Sequence, residues 1–128
     1  YIDSTCSMAR EKKYVKTILG RRRPIWDADS DNGLRRQAAE RMAINMPIQG
    51  SSAEMIKIAM IRISEEISKL NLRSKLVLQI HDELIFEFPS EEEEVLVELV
   101  IDKMENAMKL NVPIVVDYGI GNSWYEAH

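Results

Sequence analysis

Cysteine occurs once and histidine twice in this 128-residue chain, and aromatic residues make up only 6% of it. The lone Cys6 cannot close an internal disulfide and has no cysteine or histidine neighbour at metal-ligand spacing. That excludes a disulfide scaffold, gives no indication of zinc, and fits a reducing compartment. No apolar run is long enough to span a bilayer and no signal-peptide pattern opens the chain, so a soluble protein without a membrane partner is expected. Internal repeats and low-complexity tracts are also missing.

What remains is ordinary globular composition, 45% hydrophobic and 30% charged. The length suits one compact domain that buries roughly two thirds of its unfolded surface. The net charge of −4 hides an asymmetry: residues 1–50 hold ten of the 17 Lys and Arg and six of the 21 acids, leaving seven against fifteen in residues 51–128. A basic first half is what a polyanion partner requires, although solvated helices produce the same tally. The chain opens on Tyr1 without a domain-like lead-in, which reads as a piece of something longer.

Residues 1–13 read as a helix. "YVKTILGRRRPIW" reads as a short hairpin turning at Gly20, with Arg21, Arg22 and Arg23 beside the turn and Pro24 keeping one strand at an edge. "DADSDNG" is a polar loop able to cap a helix from Leu34 to Asn45, which Pro47 is expected to end and Gly50 to separate from the next. Ser51 with Glu54 then forms a predicted capping box for a helix over 51–70, with Ile56, Met60, Ile63, Ile67 and Leu70 as its apolar stripe. A second box, Ser90 with Glu93, predicts a helix over 90–109 that buries Leu96, Val100, Met104 and Met108. "VPIVVDYGIG" supplies a predicted C-terminal strand.

Between those helices lies "LVLQIHDELIFEF", two apolar strands joined by a turn spelled His81-Asp82-Glu83 where a plain hairpin favours Asn-Gly or Asp-Gly. Carboxylates without nearby His or Cys ligands suit hard cations such as Mg²⁺, which bind one or two protein carboxylates together with substrate phosphates. Asp82 is the better ligand candidate. In extended backbone Asp82 and Glu83 point to opposite faces, so one acid aimed at a metal leaves the other supporting or solvated. The alternative is a merely solvated tip, since Asp and His tolerate tight turns.

Arg41 and Asn45 share a helix face and Gln49 follows just beyond Pro47, so three side chains with N–H donors can line one groove. Every Watson-Crick pair presents minor-groove acceptors at equivalent places, and such donors test pair geometry without reading sequence. The alternative is that Asn45 caps the helix and Gln49 packs in a loop. Arg21 to Arg23, Arg35 and Arg36 are phosphate contacts or a solvated face.

The strings "ERMAINMPIQGSSAEMIKIAMI" and "LVLQIHDELIFE", in this order and followed by "GNSWYEAH", closely resemble the C-terminal part of family A DNA polymerases, and the resemblance covers essentially the whole chain. It implies an α+β fold: a small antiparallel sheet, made of the motif hairpin and the C-terminal strand, backed by amphipathic helices as part of a polymerase palm. Residues 1–50 would be the end of the fingers with a connecting helix, and residues 51–128 the C-terminal part of the palm.

By motif matching, the resemblance makes Asp82 a metal-binding aspartate, Glu83 the supporting acid and His81 a residue beside the primer end. It places Arg41, Asn45 and Gln49 on primer/template DNA. The implied chemistry is phosphoryl transfer from deoxynucleoside triphosphates with two Mg²⁺ ions, in the cytoplasm at the nucleoid. The family's other essential aspartate and its nucleotide-gripping fingers helix are not in this sequence, so the chain alone is expected not to polymerise.

An HD-type phosphohydrolase would need further His ligands, and the only other one is His128. A non-catalytic DNA-binding or scaffold module that retains the polymerase fold is the remaining alternative. A missing neighbour strand would leave one sheet edge bare, which predicts self-association.

Overall fold

A computed structural model describes all residues from Tyr1 to His128. The chain divides into two compact units, Tyr1–Glu54 and Met55–His128.

In the first unit, helix α1 (Ile2–Lys12) stops where Lys13 takes the left-handed conformation at φ 59°. Strands β1 (Tyr14–Lys16) and β2 (Arg22–Pro24) follow as an antiparallel pair, Val15 opposite Arg23. Gly20 supplies the turn with φ +90°, a conformation that costs glycine nothing. Pro24 sits at the end of its strand, where no ladder donor is missed. After a 3₁₀ turn at Trp26–Asp29, the Asn32 carboxamide oxygen accepts from the N–H groups of Leu34 (3.0 Å) and Arg35 (3.2 Å), capping helix α2 (Gly33–Lys69). Ala9, Val15, Ile25, Ala28, Ala39 and Ala43 form the core of this unit, with Met46 packed against it. Alanines four apart on α2 let the helix lie close to its neighbours.

Helix α2 overturns the expected break at Pro47 and Gly50, and the capping box at Ser51 and Glu54 with it. Proline removes one i→i−4 bond and crowds the preceding turn, at about 3 kcal/mol. Tertiary contacts on both sides offset this. Ala43 is fully buried before the proline, and the Ser51 hydroxyl after it donates to the Pro47 carbonyl (2.5 Å) while accepting from the Ile18 N–H (2.9 Å). Ser51 and Glu54 therefore act from inside a helix. Asn45 caps nothing, because the helix does not end there.

In the second unit, α2 closes with Asn71 in the left-handed region at φ 51° and the Leu72 N–H bonded to the Ile67 carbonyl at 3.0 Å. Ile67 and Leu72 both pack on the core, the apolar contact that accompanies this kind of helix end. Strands β3 (Lys75–Ile80) and β4 (Glu83–Glu87) pair antiparallel, with a register irregularity between Leu76 and Leu78. Helix α3 (Glu93–Glu105) follows.

Ala59, Ile63, Leu99 and Ala107 make the second core, joined by Met55, Ile58, Ile67, Leu84, Phe86, Val100 and Met104. Ile63 is fully buried, a contribution of about 2 kcal/mol. The expected stripe holds at Ile63 and Ile67, but Leu70 is exposed, and Met55, Ile58 and Ala59 pack on the core where Ile56 and Met60 were expected.

The Ser90–Glu93 capping box is not formed. Instead the Glu92 carboxylate accepts from the backbone N–H groups of Arg73 (2.8 Å) and Ser74 (2.9 Å) and from the Ser74 hydroxyl (2.6 Å). Those donors hold its carboxyl below the usual carboxylate range, the Arg73 N–H foremost. Glu91 pairs with the Arg73 guanidinium. The acidic run is thus a clasp on the entry to β3 as well as a helix start.

The α+β class and the helix-backed hairpin stand, but the predicted C-terminal strand does not: "VPIVVDYGIG" joins no ladder, and each sheet has two strands only. Apolar periodicity supplies a buried face but no hydrogen-bonding partner, and a strand needs both. A short helix α4 (Trp124–Ala127) follows that segment.

Candidate functional site

The hairpin of β3 and β4 turns through two residues, His81 and Asp82, because Ile80 pairs with Glu83 in the ladder. Glu83 is thus the first residue of β4 and not part of the turn. His81 adopts φ 53°, sparsely populated by residues other than glycine although His tolerates it better than most. The Gln79 carboxamide donates to the His81 carbonyl at 3.0 Å and braces that conformation.

Asp82 stands exposed at the tip and makes no hydrogen bond or ion pair within the chain. The Glu83 side chain is 44% exposed, and its Oε1 lies 3.5 Å from Nδ1 of His128. Leu84 and Phe86 on β4 are packed into the core, which fixes the ribbon that carries the acids.

The turn presents an imidazole and one unengaged carboxylate, and the first residue of β4 adds a carboxylate in contact with His128. No group of three or more His, Cys, Asp or Glu side chains forms a cage for an ion. A hard divalent cation that keeps several waters needs only one or two protein carboxylates, and Asp82 fits that donor type. A transition metal held wholly by protein ligands does not fit.

Arg41, Asn45 and Gln49 lie four residues apart on α2 and are all exposed. Because the helix continues through Pro47, Gln49 shares their face, and the three span about 12 Å along the axis. None of them bonds to another residue of the chain, so their donors are available to a ligand or to water.

The other basic residues separate into engaged and unengaged. The Nε of Arg21 lies 3.1 Å from the carboxylate of Glu54, itself buried with one oxygen left without a partner. The Arg22 guanidinium stacks over the Tyr14 ring at 4.6 Å, and Arg36 donates to the Ser30 carbonyl at 2.9 Å. Arg23 and Arg35 make no such contact and remain candidates for phosphate.

Sequence reasoning missed two contacts at the turn, those of Gln79 and His128. The first had no short-range signature. The second had one: Ser123 with Glu126 reads as a capping box, which predicts an ordered C-terminal turn.

The family model described as DNA polymerase family A matches residues 1–126. DNA polymerase I of Caldicellulosiruptor bescii is 46% identical over 98% of this chain, and that of Bacillus subtilis 47% identical over 99%. The chain spans 15% and 14% of the lengths of these relatives. Among solved structures, the POL domain of Pol1 from M. smegmatis, in complex with DNA primer-template and dNTP, superposes with a TM-score of 0.97 at 46% identity. That match covers 99% of this chain and 22% of the other.

Proposed function

The chain belongs to DNA polymerase family A, and from that premise we propose that it is part of a template-directed DNA polymerase that adds deoxynucleotides to a primer 3′-hydroxyl. The likeness to a POL domain described with primer-template and dNTP carries this reading. Residues 1–50 would be the end of the fingers with a connecting helix, and residues 51–128 the C-terminal part of the palm.

In the reaction the 3′-hydroxyl oxygen attacks the α-phosphorus of the nucleotide and gives up its proton to solvent, a new phosphodiester forms, and pyrophosphate leaves with the bridging oxygen. Two Mg²⁺ ions, when bound, would supply charge stabilisation to the phosphoryl transfer. Asp82 is the residue of this chain that would hold metal, Glu83 supports the turn, and His81 lies beside the primer end. Because the chain builds no complete cage, further ligands must come from elsewhere in a full-length polymerase.

Arg41, Asn45 and Gln49 would donate to minor-groove acceptors of the last base pairs, and Arg35, with Arg36 beside it, would face phosphate. No helix is long and apolar enough to cross a membrane. Work on DNA would place the protein in the cytoplasm at the nucleoid.

Primer extension tests the reading. A full-length polymerase containing this chain is expected to extend a primer with Mg²⁺ and dNTPs, and the isolated chain is expected not to. Gln49→Ala should weaken primer/template affinity by about fivefold, equally for all four template bases, as the loss of one unspecific hydrogen bond requires. Binding without extension by the full-length protein would replace the polymerase with the DNA-binding module.

The isolated chain should also self-associate. β3 and β4 have no third strand, and Val77 and Leu78 on β3 are 52% and 46% exposed. Light scattering that finds a monomer at every concentration would exclude this.

A further inference from the structure

Residues 119–128 form a tightly built C-terminal knot. A side chain at Gly119 would collide with the Ala127 carbonyl oxygen, and a Cβ at Gly121 would lie 2.5 Å from that of Glu126. The Ser123 hydroxyl accepts from the Glu126 N–H at 3.3 Å, and the Glu126 carboxylate accepts from the Asn122 N–H at 2.8 Å. This closes a reciprocal cap on α4. The His128 N–H donates to the Trp124 carbonyl at 3.0 Å, and the two rings meet edge to face at 6.1 Å.

These constraints hold the backbone of ten residues and bring one imidazole, its side chain 65% exposed, to the acidic turn, where its Nδ1 lies 3.5 Å from Glu83 Oε1. Nothing else in the chain bonds to the Glu83 side chain. Asp82, next to it, has no partner at all.

We propose that His128 is a positioning residue for the acidic turn, its imidazole holding the Glu83 carboxylate so that the adjoining Asp82 keeps a fixed direction. The inference rests on the polymerase reading. It makes the C-terminal knot part of the polymerase site, acting through Glu83 without touching substrate.

The contact atom is Nδ1, so the choice of substituent separates positioning from packing. Asparagine places an amide donor where Nδ1 stood but removes the ring. Phenylalanine keeps a ring against Trp124 but removes the donor. In a full-length polymerase containing this chain, single-turnover extension is measured over a range of dNTP concentrations, with primer/template affinity measured separately.

His128→Phe is expected to lower the maximal rate by about two- to fivefold, the range for one exposed polar contact, with dNTP and primer/template affinities unchanged. His128→Asn should recover most of that loss. Gly121→Ala, which disturbs the knot without touching the contact atoms, should reproduce the Phe result. The inference is overturned if His128→Phe keeps the full rate, or if Asn is the worse of the two, since that order marks packing alone. If the unmutated polymerase fails to extend a primer, the polymerase reading itself falls and takes the inference with it. If it extends normally and the variants match it, only the inference falls.

Discussion

Asp82→Asn in a full-length polymerase containing this chain is expected to lower the maximal rate of primer extension about a thousandfold while primer/template affinity stays within about twofold. The size follows from what the carboxylate does on this reading. Charge stabilisation of a phosphoryl transfer by metal amounts to several kcal/mol, and about 4 kcal/mol is a factor of roughly a thousand. Asparagine keeps the shape of the side chain and removes only its charge.

The structure makes the experiment clean. Asp82 is exposed and bonds to nothing in the chain, so its replacement breaks no ion pair and opens no cavity. A surface change of this kind moves stability by no more than about 0.5 kcal/mol. A lost rate therefore reads as lost transition-state stabilisation and not as unfolding. Full extension by the variant would make the turn a structural hairpin tip and would leave the DNA-binding module as the better account of the chain.

Short-range chemistry made much of this fold legible. Gly20 turned the first hairpin, Asn32 capped α2, and the apolar runs on either side of His81 marked the second hairpin. Each signal lies within a few residues of the structure it produces. The failures share a different cause. Pro47 and Gly50 are strong local signals for a helix end, and they lost to a buried alanine core and a serine hydroxyl that bonds across to Ile18. The Ser90–Glu93 pattern was outcompeted because Glu92 found three donors at Arg73 and Ser74, 18 to 19 residues away. At the turn, alternation said only that Asp82 and Glu83 point to different faces, and the approach of His128 to Glu83 depends on how the C-terminal knot folds back.

Gly50 offers the sharpest test of that override, because the local rule and the structure disagree on sign. Inside a helix, Gly→Ala is ordinarily stabilising by about 1 kcal/mol. Here an added Cβ would lie 2.7 Å from Cγ2 of Thr17, and Thr17 is itself buried with its hydroxyl accepting from the Arg21 N–H at 3.0 Å. The methyl cannot swing away without giving up that bond. Overpacking of this kind costs about 1–3 kcal/mol, so Gly50→Ala should destabilise the chain by a net amount on the order of 1 kcal/mol in urea unfolding.

Thr17→Ser removes Cγ2 alone and keeps the hydroxyl. On its own it should cost a little under about 1 kcal/mol, the loss of one buried methyl. Combined with Gly50→Ala it should do better than additive, because the new Cβ occupies the space that the methyl leaves. A coupling energy of about 1–2 kcal/mol is expected from the double-mutant cycle. If Gly50→Ala alone raises the unfolding midpoint, or the two changes simply add, then the hairpin does not press on the helix at Gly50. The continuity of α2 through Pro47 would then need a different support.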